Sequence, residues 1–285
     1  MSSFLTDLFQ FAFLQKAVLT GLLASVACGV VGAYVVTRRI TYIAGAISHC
    51  VLGGMGAARY LQVVYGWTWL QVLHGAVLSA LAAAAVIGWV RLRASEREDT
   101  VIGAIWAFGM AIGVLFIART PTYGEDLMGY LFGNILLVAT EDLWLLAVLD
   151  VVVVGLGLLF YKQFLAVCFD EEFARLRGVP VEAFYLLLLG LTALTVVLLV
   201  SVVGIVLVIA LLTLPAAIAG HWCSKLWQMM IWGAVLSAGF ATLGLAVSYQ
   251  PNLPAGATAI ALAGTGYLLV TLFSRLAGRL RGLRS

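Results

Sequence analysis

The sequence predicts an all-α integral membrane protein with about nine (eight to nine) transmembrane helices. Of its 285 residues, 64% are apolar and only 10% are charged, whereas a soluble domain is about 45–50% apolar and about 25% charged. The mean hydropathy is +1.10. Uncharged runs of about twenty residues recur along the chain, which is the length that an α-helix needs to cross a bilayer. Runs of this length predict helical spans and not a barrel.

The apolar runs define the predicted spans in chain order. They cover residues 11–37, 42–61, 67–90, 100–118, 141–161, 183–203, 204–219, 226–247 and 255–273. A further apolar run, 127–138, is too short to cross. The run 204–219 contains Pro215 and is marginal in length, so a re-entrant conformation there would leave eight spans. We expect a single transmembrane domain over residues 1–285.

Basic residues predict the orientation of these spans. With the N-terminus outside, all of the 16 Lys and Arg residues except Lys16, Arg59 and Arg119 lie on the cytoplasmic side. Because Lys and Arg are enriched in cytoplasmic loops, this asymmetry favours nine spans with the C-terminus inside. The sequence therefore predicts a multi-pass protein of the cytoplasmic (inner) membrane.

Several familiar motifs are missing from the sequence. The four cysteines show no CxxC spacing and imply no disulfide framework. The N-terminus lacks a basic region and contains Asp7, unlike a cleaved signal peptide. No Walker A, HExxH or GxSxG pattern occurs. We therefore do not expect this chain to be an enzyme. An ATPase that works with it would be another chain.

The stretch that begins with Arg38 and Arg39 carries the first candidate site. These arginines end the first span and should lie at the cytoplasmic surface. His49 follows eleven residues after Arg38, about 16 Å deep and near the bilayer midplane. Ionisable groups at that depth usually mark a pathway, and glycines on the same helix face let a small ion approach. The predicted translocation groove comprises Gly45, Ser48, Gly53 and Gly56.

Asp150 is a second ionisable group within a predicted span. It lies twelve residues before Lys162, about 18 Å from the cytoplasmic surface and close to the depth of His49. We hypothesise that Asp150 lies near His49 and that both are metal ligands. The alternative for both residues is structural, because small-residue faces commonly pack helices together and buried polar groups bond to neighbouring helices. His74 and His221 lie near span ends and are expected at the interface.

Residues 169–178 form the second candidate site, a short capped helix in a cytoplasmic loop. Asp170 can cap the helix, acidic residues occupy its first turn, and Gly178 and Pro180 end it. On these grounds alone the segment could be a stiff surface loop. The residues assigned to it are Asp170, Glu171, Glu172, Phe173, Ala174, Arg175 and Gly178.

These motifs together resemble the membrane permease subunits of bacterial ABC importers for zinc, manganese and iron (the ABC-3 type). The resemblance rests on Arg-Arg followed by Ser-His and a Gly-rich helix, and on residues 169–178, which resemble the coupling helix of that family. The segments 131–134, 203–217 and 248–256 agree with it, so the resemblance covers roughly residues 11 to 275. One departure is clear, since many members carry an aspartate where this chain has Gly45.

The resemblance implies a type II, cobalamin-permease-like architecture and import of a divalent transition metal ion, with His49 as a transient ligand. It also implies a second permease copy, a cytoplasmic ATPase dimer docked on the coupling helix, and an extracytoplasmic metal-binding protein. Membrane lipid surrounds such a permease, and neither nucleic acid nor a permanently bound cofactor is expected. Because Gly45 replaces the usual carboxylate, the identity of the metal stays open.

Two other functions are compatible with the sequence. The first is an ABC permease for a metal chelate, such as a siderophore or cobalamin, although such a cargo does not need an intramembrane histidine. The second is a secondary transporter that couples to protons through Asp150 and His49. Broken helices in both halves of the chain would favour it, but the only such break is near Pro215.

Overall fold

A computed structural model of the chain describes residues 2–93, 98–121, 129, 131, 133, 135, 138–251 and 253–282. The described residues form twelve helices, which confirms the all-α prediction for this part of the chain. In chain order they are α1 (Ser2–Gln10), α2 (Ala12–Thr37), α3 (Thr41–Tyr65), α4 (Val72–Arg93), α5 (Glu98–Arg119), α6 (Thr140–Leu159), α7 (Tyr161–Phe169), α8 (Glu171–Leu176), α9 (Val181–Val203), α10 (Ile205–Ala219), α11 (Leu226–Tyr249) and α12 (Ala255–Gly282).

Seven of the described helices are long and apolar enough to cross a membrane. They are α2, α4, α5, α6, α9, α11 and the part of α12 over Ala255–Leu276. Their positions agree with seven of the predicted spans. The chain is therefore a multi-pass membrane protein.

Helices α3 and α10 separate this count of seven from the predicted nine. With 25 residues, α3 is long enough to cross, at about 1.5 Å per residue, although its sequence is less apolar than the seven. With 15 residues, α10 reaches only about 22 Å. The nine-span count therefore stays a prediction that depends on these two helices.

A single residue, Gly204, separates α9 from α10. Its φ of +84° lies in a region that residues with a β-carbon rarely adopt. Gly133, from the loop before α6, packs against the backbone of Val203 and Gly204 so closely that a β-carbon would not fit. This contact places Gly133, which belongs to the segment 131–134 of the family resemblance, against the junction of α9 and α10. Phe132 and Asn134 of the same segment lie outside the described residues.

The helices pack in two groups that α9 joins. In one group, α3 packs between α4 and α5; in the other, α2 packs against α6, α10 and α11, and α12 lies on α10 and α11. Helix α9 contacts α3 and α4 on one side and α2 and α6 on the other. The apolar stretches of α2 and α9 are 67% buried, against 22% for α5 and 17% for α12. The centre of the molecule is therefore α2 with α9, while α5 and α12 face outward.

Candidate ion path and cytoplasmic coupling site

His49 lies in the middle of α3 and contacts an aromatic side chain of α5. Its imidazole stacks on the indole of Trp106 with ring centroids 4.8 Å apart and an interplanar angle of 21°. The side chain is half-buried, and its Nδ1 is buried without a hydrogen-bond partner among the described residues. A neutral imidazole has one acceptor nitrogen, and this is the group that binds metals. The ring thus lies within α3 with a buried nitrogen that makes no hydrogen bond to the described residues.

The space beside His49 on the Gly45 side is occupied by the same indole. A β-carbon on Gly45 would lie only 2.9 Å from the ring of Trp106, closer than van der Waals contact allows. Ser48 is fully buried, and its hydroxyl donates to the carbonyl oxygen of Ala44 at 2.8 Å. This bond satisfies the hydroxyl within α3. Trp106 therefore covers both the His49 ring and the space over Gly45.

Further along α3, the glycine face packs against glycines of α5. A β-carbon on Gly53 would lie 2.8 Å from the carbonyl oxygen of Gly109, and one on Gly56 would lie 2.9 Å from that of Gly113. Small residues let two membrane helices approach this closely. Gly53 and Gly56 therefore pack against α5, and Gly53 also lines an apolar cavity of about 410 Å³ between α3, α4 and α5. The role of these glycines in a translocation groove stays a prediction.

Asp150 lies on α6 and faces α2. It is 9% exposed, and the backbone of Ala27 and the thiol of Cys28 lie near it. Cys28 in turn lies near Ser237 on α11, whose hydroxyl makes no hydrogen bond to the described residues. One carboxyl oxygen, Oδ1, is buried without a hydrogen-bond partner among the described residues.

The structure does not bring His49 and Asp150 together within the chain. His49 contacts Trp106 on α5, whereas Asp150 lies at the junction of α6 with α2, in the other helix group. Among the described residues, no group of three or more His, Cys, Asp and Glu side chains could hold a metal ion. The role of the two residues as metal ligands stays a prediction, and their direct pairing is not seen.

The predicted short helix is present as α8, from Glu171 to Leu176, and is narrower than the predicted 169–178. The side chain of Asp170 caps it, because Oδ1 accepts a hydrogen bond from the Phe173 amide at 2.9 Å. Gly178 follows with a φ of +75°, and the helix ends there as αL glycines end helices. Local sequence signals thus account for both ends of α8.

The two sides of α8 have different environments. Ala174 is fully buried and packs with Val167 and Val181 from the flanking helices. Phe173 is 49% exposed and Leu176 is 87% exposed, and Glu172 and Arg175 are exposed beside them. An exposed apolar patch with charges around it is typical of a protein-binding surface. The geometry of α8 is compatible with docking to a partner, and that role stays a prediction.

Glu171 differs from its neighbours on α8, because its side chain turns toward the membrane helices. Its Oε1 forms an ion pair with Arg38 and lies 3.0 Å from Nη2 of Arg91. The second nitrogen of Arg91, Nη1, lies 3.1 Å from Oε2 of Glu98. The Arg91 guanidinium also lies over the ring of Tyr185, 4.6 Å from its centroid. Burial, and after it the charge of Arg91, lowers the pKa of the Arg38 guanidinium.

Sequence reasoning did not find this ion-pair network. It placed Arg38 at the membrane surface because of its charge and assigned Glu171 to the first turn of a docking helix. Opposite charges in two cytoplasmic loops are the only sequence signal that connects them, and many other pairs of charges would have met the same criterion.

The helical architecture and the intramembrane site define the class of protein: a multi-pass helical protein of the cell membrane. The chain belongs to the ABC 3 transport family, whose match extends over residues 10–274. This match covers α2 through most of α12. It confirms the family resemblance that was indicated by the motif from Arg38 to the Gly-rich helix α3 and by the motif at α8.

Several related proteins and one solved structure are similar to this chain over nearly its whole length. The "Probable metal transport system membrane protein" of Chlamydia muridarum is 40% identical over 96% of this chain and 93% of its own length. The manganese transport system membrane protein MntC of Listeria monocytogenes is 34% identical over 97% and 96%. A chain of the solved PsaBC from Streptococcus pneumoniae in complex with Fab aligns with a TM-score of 0.83 and 31% identity, and covers 94% of each chain.

Proposed function

We propose that this chain is the transmembrane permease subunit of an ABC importer for a divalent transition metal ion, with manganese as the first candidate and zinc and iron as the others. The observation that carries the proposal is the family match over residues 10–274. A relative named for manganese transport, similar over 97% of this chain, supports manganese. Membership of an ABC transport family also argues against the proton-coupled secondary transporter.

The chemistry at His49 bears on the choice of metal. Imidazole suits zinc and iron, whereas manganese favours carboxylate, carbonyl and water oxygens. Gly45 supplies no carboxylate, and Asp150 lies in the other helix group. A manganese ion passing His49 would therefore be completed by water, by backbone oxygens, or by His49 of a second permease copy across a central path. Such sparse ligation suits a transport site, because an ion must leave as readily as it enters.

Trp106 controls access to His49 in this proposal. The indole stacks on the imidazole and also fills the space over Gly45. An ion that reaches the imidazole nitrogen must displace the indole or pass its edge. The described conformation is therefore a closed state of the path, and movement of α5 relative to α3 opens it.

The remaining subunits follow from the exposed features of the chain. Helix α8 exposes Phe173, Leu176 and two charged side chains, and this surface docks a cytoplasmic ATPase dimer that hydrolyses the ATP. A second permease copy completes the ion path, and an extracytoplasmic metal-binding protein delivers the ion. The chain itself is not an enzyme and holds no permanent cofactor, since the metal ion is its cargo.

In this proposal the permease has nine spans in a type II, cobalamin-permease-like arrangement. Helices α3 and α10 cross the membrane together with the seven long apolar helices. The N-terminus is then outside, the C-terminus is inside, and α8 is cytoplasmic with most of the basic residues. A span of 15 residues is possible for α10 because it is central and packs against α2, α11 and α12, so the protein shields its ends from lipid.

Reconstitution of the whole importer tests this function. The permease is reconstituted in proteoliposomes with its ATPase and binding protein, and uptake of manganese, zinc and iron(II) is measured with and without ATP. We expect ATP-dependent uptake, fastest for manganese. Equal uptake with and without ATP would contradict the importer proposal, and faster zinc or iron uptake would contradict only the choice of metal.

A further inference from the structure

Five side chains form a cytoplasmic charge cluster where the ends of five helices meet. Arg38 follows the last residue of α2, Arg91 lies in the last turn of α4, and Glu98 begins α5. Glu171 begins α8, and Tyr185 lies in the first half of α9. Three ion pairs join the charged members, and the Tyr185 hydroxyl donates to Glu98 at 3.4 Å. The cluster thus connects a loop helix to four membrane helices.

Only one arginine of the Arg38–Arg39 pair, and only one of the nearby Arg91 and Arg93, belongs to the cluster. The side chain of Arg38 is 14% exposed, whereas Arg39 is exposed. The side chain of Arg91 is 28% exposed, whereas Arg93 is exposed. The turn that orients Arg38 contains Arg39 at a φ of +61°, a left-handed conformation that is uncommon for a residue with a β-carbon. The backbone is therefore specifically shaped where Arg38 turns toward Glu171.

Ion pairs are the main contact of α8 with the helices that carry the ion path. By backbone packing, α8 lies against α7 and α9. A cavity of about 310 Å³ lies among α4, α5, α8 and α9, and its lining includes Glu98, Glu171, Arg91, Arg175, Glu182 and Tyr185. At this cavity Glu171 pairs with Arg91, and it also pairs with Arg38. A partly buried network of this kind is more stabilising than an isolated surface pair, and loss of one member leaves buried charges uncompensated.

The cluster lies next to the helices that hold His49 and Trp106. Helix α3, which carries His49, begins at Thr41, three residues after Arg38. It packs between α4 and α5, and α5 carries Trp106. A displacement of Glu171 therefore acts on the beginning of α3, on the end of α4 and, through Glu98, on the beginning of α5. These three helices form one packed group and respond together.

We propose that Glu171 is a positioning residue that ties α8 to the α3–α4–α5 group through Arg38 and Arg91, and so passes movement of α8 to the His49–Trp106 pair. This inference rests on the proposed importer function. Glu171 faces the permease in this role, whereas the exposed side chains of Glu172, Phe173 and Leu176 are available to the ATPase. Loss of the Glu171 charge should leave the ATPase bound and active but disconnect its cycle from the ion path.

The test compares Glu171→Gln and Arg38→Gln with the matched controls Arg39→Gln and Arg93→Gln in the reconstituted importer. The measured quantity is the number of metal ions taken up per ATP hydrolysed. We expect this ratio to fall by about tenfold or more in the two cluster variants, because a partly buried pair is broken, and to be unchanged in the controls. The double variant Glu171→Gln/Arg38→Gln should be no worse than either single variant, since both remove the same link. Arg38→Lys keeps the charge and should restore most of the ratio.

Two further measurements separate positioning from docking and from the importer function itself. The affinity of the ATPase for Glu171→Gln permease should equal that for wild type; weaker binding would place Glu171 in the docking surface and overturn the inference. Hydrogen exchange of the α8 amides, measured in the permease alone, should be faster in Glu171→Gln and Arg38→Gln and unchanged in Arg39→Gln. Unchanged exchange in the cluster variants would overturn the anchoring role, whatever the transported substrate. A wild-type importer without ATP-dependent uptake would contradict the proposed function and not the anchor.

Discussion

At the scale of single residues, His49 and its surroundings determine what this chain can do to an ion. The imidazole lies within α3, and its ring stacks on Trp106 with Nδ1 making no hydrogen bond to the described residues. Gly45 would permit a carboxylate one helical turn away, but the indole fills that space. The candidate site therefore consists of the His49 imidazole stacked on the Trp106 indole.

Replacement of His49 tests whether the imidazole serves the ion. His49→Ala should lower the initial rate of metal uptake by about tenfold or more, equivalent to about 1.4 kcal/mol in the transport barrier, because the mid-membrane ligand is lost. The measurement is uptake of radioactive manganese at equal permease levels. His74→Ala is the matched control, since His74 is exposed near the beginning of α4 and the variant should transport as wild type. Normal uptake by His49→Ala would contradict the role of the imidazole.

A carboxylate introduced at Gly45 tests the role of Trp106. Gly45→Asp should lower uptake or stability, because its β-carbon would lie 2.9 Å from the indole and overpacking costs about 1–3 kcal/mol. Gly45→Asp/Trp106→Ala should recover, and the added carboxylate should then favour manganese over zinc. Uptake and thermal unfolding are measured for both. A single Gly45→Asp variant as stable and active as wild type would show that the indole does not restrict this space.

At the scale of elements, α3 and α5 form a close glycine seam beside the candidate path. Gly53 and Gly109, and Gly56 and Gly113, meet backbone to backbone. Such packing depends on short distances along the whole contact, because each helix can approach only where no side chain intervenes. A single added methyl group should therefore separate the two helices.

Valine substitutions on α5 test this seam. Gly109→Val should destabilise the permease by about 1–3 kcal/mol, because its β-carbon would lie 2.7 Å from the Cys50 sulfur and 2.8 Å from the Cys50 Cα. Gly103→Val is the control on the same helix, since a β-carbon there meets nothing within 4 Å. Thermal unfolding in detergent compares the two variants. Equal melting temperatures would mean that α3 and α5 are not closely packed in the membrane.

The outward charges of α8 carry the second element-scale prediction. Replacing Glu172 and Arg175 together by alanine should weaken ATPase docking and uncouple ATP hydrolysis from uptake, because both side chains are exposed on the docking side. Ala174 is buried beneath them and is left unchanged, so the permease should stay folded. Binding of the purified ATPase and metal uptake are the measurements. Normal transport by the double variant would exclude this docking surface.

At the scale of the whole molecule, the two helix groups and α9 between them determine how the parts are connected. The α3–α4–α5 group carries His49, whereas α2, α6, α10, α11 and α12 form the other group with Asp150. Movement between the groups would change the surroundings of His49 without unfolding either one. The orientation of the chain decides which ends of these groups face the cytoplasm.

Labelling of the termini tests the orientation. Single cysteines at Ser2 and Ser285, in a variant without the four native cysteines, should react with an impermeant thiol reagent from opposite sides of the membrane. Nine spans place the two termini on different sides, and the basic residues after Leu276 favour a cytoplasmic C-terminus. Reaction from the same side would exclude nine spans and favour eight.

The sequence by itself was sufficient for the features that depend on local chemistry. A bilayer requires every backbone group of a span to be bonded within its own helix, so the seven long apolar helices were predictable from hydropathy. The cap at Asp170 and the stop at Gly178 act over a few residues, so α8 was predictable from its own ends. The family followed from short motifs in the expected order.

Only the tertiary structure decided which side chains meet. The glycine stripe on α3 did not say which helix it meets, and only the tertiary structure shows that Gly53 and Gly56 pack against glycines of α5. Equal depth suggested that Asp150 pairs with His49, but depth specifies only one coordinate, and helix packing placed Asp150 against α2. Glu171 was expected to face a partner with Glu172, yet it reaches Arg38 and Arg91. Contacts between residues far apart in the chain depend on how helices rotate and cross, which hydropathy and spacing do not encode.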